Sequence, residues 1–356
     1  MKLVRAFSLL RRLSVAALCL VAPCTVTAQA ACNERDCATG LMRGHVATQP
    51  GYWISRMARP LAQRIDAAPT ELLEYVRLDN LSAGLTSVPR AATLAPDFLR
   101  DVRRAFDEIP TPVKRLVSRR LAGIYLVEDL GSTGYTDAIF AADGRPVAGF
   151  IVLDAAVLMQ RSANAWATWK ENTPFKQEPG FSLTATIATP RQDNRRNAIQ
   201  YILLHELGHI ASIGADIHPH WGIAPGAVQQ TESLAYFKLS WTIARQENRF
   251  VSLFETAFEA RPKLVYYADP MLRGSQMQAV YSQLAATNFA TLYAATSPGD
   301  DFAEAFASYV HTVLMRKPLQ IEIRHAGQDV LRFSSCWAQA RCATKRAILE
   351  QLLRTK

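Results

Sequence analysis

The chain has no internal repeat, no low-complexity tract and no long linker, which excludes a solenoid and a string of disordered segments. It also lacks a run of apolar residues long enough to span a bilayer in a mature protein. Leu13 to Ala22 is too short for that. Cysteine is scarce, and neither CNERDC nor CWAQARC has the CxxC spacing or a nearby histidine, so a zinc knuckle is the weaker reading of both. An excess of one charge is missing too, once the N-terminus is considered. Removing residues 1–28 takes away Lys2, Arg5, Arg11 and Arg12 and no acid, so the net charge falls from +9 to +5. The Arg-rich stretch RDVRRAFDEIPTPVKRLVSRR also carries acids, so it reads as a solvated helix face, and no nucleic-acid partner is expected.

What is present fits a folded, exported protein. With 49% hydrophobic and 20% charged residues, the 356-residue chain can bury a sizeable core as one large domain or two closely packed lobes. Four basic residues, the apolar run Leu13 to Ala22 and the small residues of TVTAQA make residues 1–28 a signal peptide, with cleavage after Ala28 or Ala30. Arg11-Arg12 is a twin arginine, but Ser14 stands where that signal wants an apolar residue. Pro23 before Cys24 and Gln29 upstream of Cys32 do not resemble a lipidation context. The expected location is periplasmic or secreted, without stable membrane insertion. Cys32, Cys37, Cys336 and Cys342 would remain, and two short local disulfides are the simplest pairing in an oxidising compartment.

A coarse reading gives helices near 60–78, 96–108 and 111–121, then strands AGIYLVED, TDAIFAA and VAGFIVLD, with Asp143-Gly144 as a hairpin signal. A polar, irregular region containing WATWKENTPF follows. Asp193 or Asn194 can cap the next helix.

That helix contains YILLHELGHIASIG, Tyr201 to Gly214. Ala198, Ile202, His205 and His209 share one face, while Ile199, Leu203, Leu207 and Ile210 form another. A helix apolar nearly all round is buried, and two imidazoles and a carboxylate are costly to bury unless they are paired or hold a metal. Zinc resolves the cost. Histidines at i and i+4 offer two nitrogens to one ion, and Glu206 beside the first can take a proton from a zinc-bound water. The extended pattern HExxHxxGxxH is absent, since Ser212 and Ala215 stand where it needs Gly and His, so a third ligand must come from elsewhere. His218 and His220 could reach back, though histidines in a Pro-containing loop are more often surface residues or partners of a ligand. The better source is LYAATSPGDDFAEAFASYVHTVL, where Asp300 and Glu304 stand one helical turn apart on one face.

HELGH, Tyr293 and DDFAEAF together resemble the zincin metallopeptidases related to the catalytic domain of anthrax lethal factor, in which a tyrosine precedes an acidic helix of the form ExFAEAF. The resemblance touches the two ends of the part from Tyr201 to Val310. It implies that His205 and His209 are ligands of one zinc ion and Glu206 the general base. It also implies that Tyr293 helps hold the oxyanion, Asp300 occupies the place of the family's glutamate ligand, and Glu304 supports a ligand histidine. Aspartate is one methylene shorter than glutamate, so either its helix sits closer to the metal or Glu304 takes over. The long interval before Asp300 is expected to hold two helices, in GAVQQTESLAYFKLSWTIARQE and SQMQAVYSQLAAT, with Glu232, Trp221 and Trp241 as packing or surface residues.

The expected fold is therefore α+β and zincin-like, with a twisted sheet before the active-site helix and a mostly helical lobe after it. Residues 29–95 would form an N-terminal segment and 96–356 a zincin-like metallopeptidase domain with a C-terminal extension. The expected activity is zinc-dependent hydrolysis of a peptide or protein substrate, and the resemblance implies that an edge strand, AGIYLVED or VAGFIVLD, aligns its backbone. The alternative is a non-catalytic binding or scaffolding protein of the cell envelope that keeps the fold. The intact Glu206 speaks against it, since a binding module has no use for a base there.

Overall fold

The computed structural model describes residues 35–220 and 223–354, and the expected signal peptide, Cys32 and Trp221 lie outside the described residues. In chain order the elements begin with α1 (Arg35–Met42), α2 (Pro50–Met57), β1 (Ile65–Ala67), α3 (Thr70–Ser82), β2 (Arg90–Ala91), α4 (Pro96–Asp107) and α5 (Thr111–Val117). They continue with β3 (Leu121–Glu128), β4 (Gly134–Phe140), β5 (Pro146–Asp154), α6 (Ala155–Met159), α7 (Ala163–Asn172), β6 (Phe175–Lys176), β7 (Phe181–Thr186) and α8 (Arg195–Ser212). After α8 come β8 (Trp241–Ala244), β9 (Arg249–Ser252), β10 (Leu272–Arg273), α9 (Met277–Ala285), α10 (Pro298–Tyr309), β11 (Gln320–His325), β12 (Gln328–Ser334) and α11 (Ala343–Arg354).

The chain is thus mixed α and β, as expected, and its main sheet does precede α8. The strand order is β1-β3-β5-β4, with β1, β3 and β5 parallel, β4 antiparallel to β5, and β2 antiparallel to β3. Both faces of this sheet are covered, which is why IYLV and FIVL read as continuous apolar runs rather than alternating ones. Tyr125, Val127, Phe150 and Val152 pack with Trp53, Leu72 and Val76 of the N-terminal helices. Their neighbours Ile124, Leu126, Ile151 and Leu153 join the core that contains α8. Residues 35–95 therefore supply two strands and one whole layer of this sheet. The β4–β5 hairpin turns through Asp143 and Gly144, where a φ of +79° favours glycine.

Four expectations are corrected. The helix near 60–78 begins only at Thr70, because Pro69 lacks a backbone N–H and Ile65–Ala67 pairs with β3. WATWKENTPF is not irregular, since most of it forms α7. GAVQQTESLAYFKLSWTIARQE is not a helix. Its end WTIA pairs with RFVS as the β8–β9 hairpin, where β-branched and aromatic residues outweigh the helical pattern. The part after α8 is accordingly not mostly helical, for β11 also pairs with β12 and reaches back to β7. Cys336 and Cys342 form the expected local disulfide. No described helix is long and apolar enough to cross a membrane.

Candidate active site

Helix α8 is capped by Asn194, whose side chain accepts the backbone N–H of Asn197, while Asp193 accepts the N–H of Asn164 at the start of α7. It is buried along nearly its whole length, as its apolar composition requires, and carries Glu206 inside at 5% exposure. Against it lies α10, and the two come close because residue 208 is glycine. A Cβ there would stand 2.8 Å from the Cα of Ala303 and 3.1 Å from its carbonyl oxygen, so one helix would have to move. Gly208→Ala is expected to lower stability by about 1–3 kcal/mol, the usual cost of overpacking. Thermal or urea unfolding checks this, and wild-type stability would refute the close approach.

The contact brings the acids of α10 to the histidines of α8. Ser297 caps α10, its Oγ accepting from Asp300 N at 3.1 Å and donating to Asp300 Oδ2 at 2.7 Å. With Oδ2 so held, Oδ1 stands 3.8 Å from Nε2 of both His205 and His209. The two Nε2 atoms are 3.2 Å apart. Glu304 lies elsewhere, with Oε1 3.0 Å from Nδ1 of His205, on the far side of the imidazole from Asp300. Among the described residues, His205, His209 and Asp300 are the group whose donor atoms converge closely enough for one metal ion.

No family model, curated protein or solved structure matches this chain.

Two imidazole nitrogens and a carboxylate oxygen are the donor set that zinc favours, and donors about 2.05 Å from a tetrahedral ion stand about 3.3 Å apart, close to the spacings seen here. The charges agree. Burial, and next the charges of His205 and His218, hold His209 well below its ordinary pKa, leaving a neutral ring with a lone pair to offer. Burial also pushes His205 down, but its hydrogen bond to Glu304 and the surrounding carboxylates push it further up. Burial opposes the ionisation of Glu304, yet Lys170 and then His205 hold it below the usual carboxylate range.

The other expected residues surround this group. Glu206 points towards the sheet, where Thr136 Oγ1 of β4 donates to its Oε2 at 2.8 Å, and burial raises its carboxyl pKa. The ring of Tyr293 lies 5.6 Å from that of His205. The charge of Asp300, followed by burial, keeps its hydroxyl protonated and available as a donor. Together these residues line a cavity of about 440 Å³ with Trp166, Phe250 and Tyr267. Neighbouring depressions share Ser132, Thr133 and Tyr267 on one side and Tyr135, Thr136 and His220 on the other, so the cavity belongs to a groove along β4.

β3 and β5 are interior strands, and the edge facing the cavity is β4, the TDAIFAA strand. His218 is buried with Nδ1 2.7 Å from the carbonyl of Pro219, and neither it nor His220 joins the three-donor group. Trp241 is a packing residue whose indole N–H donates to Asp301, and Glu232 is exposed. Sequence reasoning missed Thr136, Lys170 and Thr291. The first sits in an ordinary strand pattern, the second in a stretch read as polar loop, and the third carries no motif.

Proposed function

We propose that this protein is an exported zinc-dependent metallopeptidase with a zincin-like active site. The observation that carries the reading is the convergence of His205 Nε2, His209 Nε2 and Asp300 Oδ1 to within 3.2 to 3.8 Å, beside a buried glutamate. His205, His209 and Asp300 would hold the ion. Zinc bound there would polarise a peptide carbonyl and lower the pKa of water from about 15.7 to about 7. Glu206, steadied by Thr136, takes the proton of the attacking water and passes it to the leaving amine. The hydroxyl of Tyr293 donates to the oxygen on which negative charge develops. The edge of β4, which pairs with no further strand among the described residues, pairs with the substrate backbone, which favours an extended peptide over a compact substrate.

Incubating the mature protein with an unfolded protein substrate tests the reading. Hydrolysis of peptide bonds is expected, lost with a strong chelator and regained on adding zinc. A zinc-loaded protein that binds peptides without cutting any would favour the binding-protein alternative.

Tyr293→Phe separates binding of the ion from catalysis. Its ring lies beside His205, but Tyr293 is not one of the three converging donors. The variant should keep zinc at wild-type affinity and lose about 10²-fold or more in kcat with KM little changed, as for a donor used in the transition state. Unchanged kcat would remove Tyr293 from the mechanism.

A further inference from the structure

Lys170 is, with Lys345, one of two buried lysines among the described residues, on α7, in a stretch whose composition reads as surface. Its ammonium stands 2.7 Å from Glu304 Oε1, 3.8 Å from Glu171 Oε1 and 4.7 Å from the centroid of the Tyr293 ring. A buried ammonium is expensive to keep unless it serves its partners. The partner is informative. Glu304 has Oε1 between Lys170 and His205 Nδ1, and Oε2 takes the hydroxyl of Thr291 at 2.7 Å. Three donors from three directions leave its carboxylate one orientation. In that orientation it accepts the Nδ1–H of His205, which fixes the tautomer whose lone pair lies on Nε2, facing His209 and Asp300.

We propose that Lys170 is a positioning residue of the metal site, holding Glu304 as the carboxylate that orients His205. The inference rests on the reading that His205, His209 and Asp300 bind zinc. A purely structural role fits less well, because α10 is already fastened without Lys170. Lys345 of α11 pairs with the buried Asp301, Oδ2 at 2.8 Å, Ser297 caps the helix, and Ala303 abuts Gly208. Glu171, the other acid beside the ammonium, has its own donor in Tyr281 Oη at 2.6 Å. Glu304, at 2.7 Å from the ammonium against 3.8 Å for Glu171, is the acid that Lys170 bonds directly.

The test is a double-mutant cycle read as zinc affinity, by competition with a chromophoric chelator, on wild type, Lys170→Met, Glu304→Ala and the double variant. Lys170→Met should weaken zinc binding about 10- to 100-fold in the wild-type background. In the Glu304→Ala background the same change should have an effect of about twofold or less, because the group it acts through is gone. The cobalt-substituted Lys170→Met protein should also show an altered ligand-field spectrum. Wild-type affinity and spectrum in folded Lys170→Met, or an equal loss in both backgrounds, would overturn the proposal. Should Lys170→Met not fold, Lys170→Met/Glu171→Gln keeps the buried charge balance and carries the same comparison. If the wild type itself binds no zinc, the metal-site reading fails first. If it binds zinc and Lys170 proves indifferent, only this inference fails.

Discussion

Glu206→Gln is expected to abolish hydrolysis while leaving zinc bound. The substitution keeps the size of the side chain and its hydrogen bond to Thr136, whose hydroxyl can donate to an amide oxygen as it does to Oε2. Glu206 is not among the three converging donors, so the affinity for the ion should change little. What is lost is the base. A positioned general base typically contributes about 10² to 10⁴-fold, and the nucleophile in this scheme depends on it in both proton transfers, so the upper part of that range is expected. Zinc content and kcat/KM measured on the same preparation check both halves. Retained activity would remove Glu206 from its role, and lost zinc would mean that it is a ligand.

The second large effect distinguishes the two acids of α10. Asp300→Ala should be isolated without zinc, because its Oδ1 supplies the only carboxylate oxygen that converges on both imidazole nitrogens among the described residues. Glu304→Ala removes a partner of His205 instead. That loss should lower affinity or activity about 10- to 100-fold, and the variant should still fill with zinc at high metal concentration. Glu304→Ala also takes from the buried ammonium of Lys170 its nearest carboxylate, so its stability should fall as well, which unfolding curves would show. An empty site in Glu304→Ala together with a filled one in Asp300→Ala would exchange the two roles. The shorter reach of aspartate is met by the close approach of the helices at Gly208 and Ala303. The structure thus relates the aspartate at 300 to the glycine at 208, two positions distant in sequence.

Much of this site is legible in the sequence because its signals are local. Histidines at i and i+4, a cap at Asn194 and an apolar run define α8, and acids one turn apart after Ser297-Pro298 define the working face of α10. The strands β3, β4 and β5 are legible for the same reason, each being a run of β-branched and aromatic residues bounded by turn residues. What escaped depends on pairing across long separations. That β4 rather than β3 or β5 is the edge follows from sheet order, which no strand records in its own residues. Lys170 and Glu304 lie 134 positions apart, and a lysine among WKEN looks solvated until α7 turns it inward. The region 226–247 misled because its apolar spacing suits a helix, whereas Trp241–Ala244 finds its partner in Arg249–Ser252 just beyond.

Metal content tests the central claim most directly. The mature wild-type protein, purified without added chelator and analysed by elemental mass spectrometry, should carry close to one zinc per chain, and His205→Ala prepared in parallel should carry almost none. Absence of zinc from the wild type even after reconstitution, or full zinc in folded His205→Ala, would contradict the account.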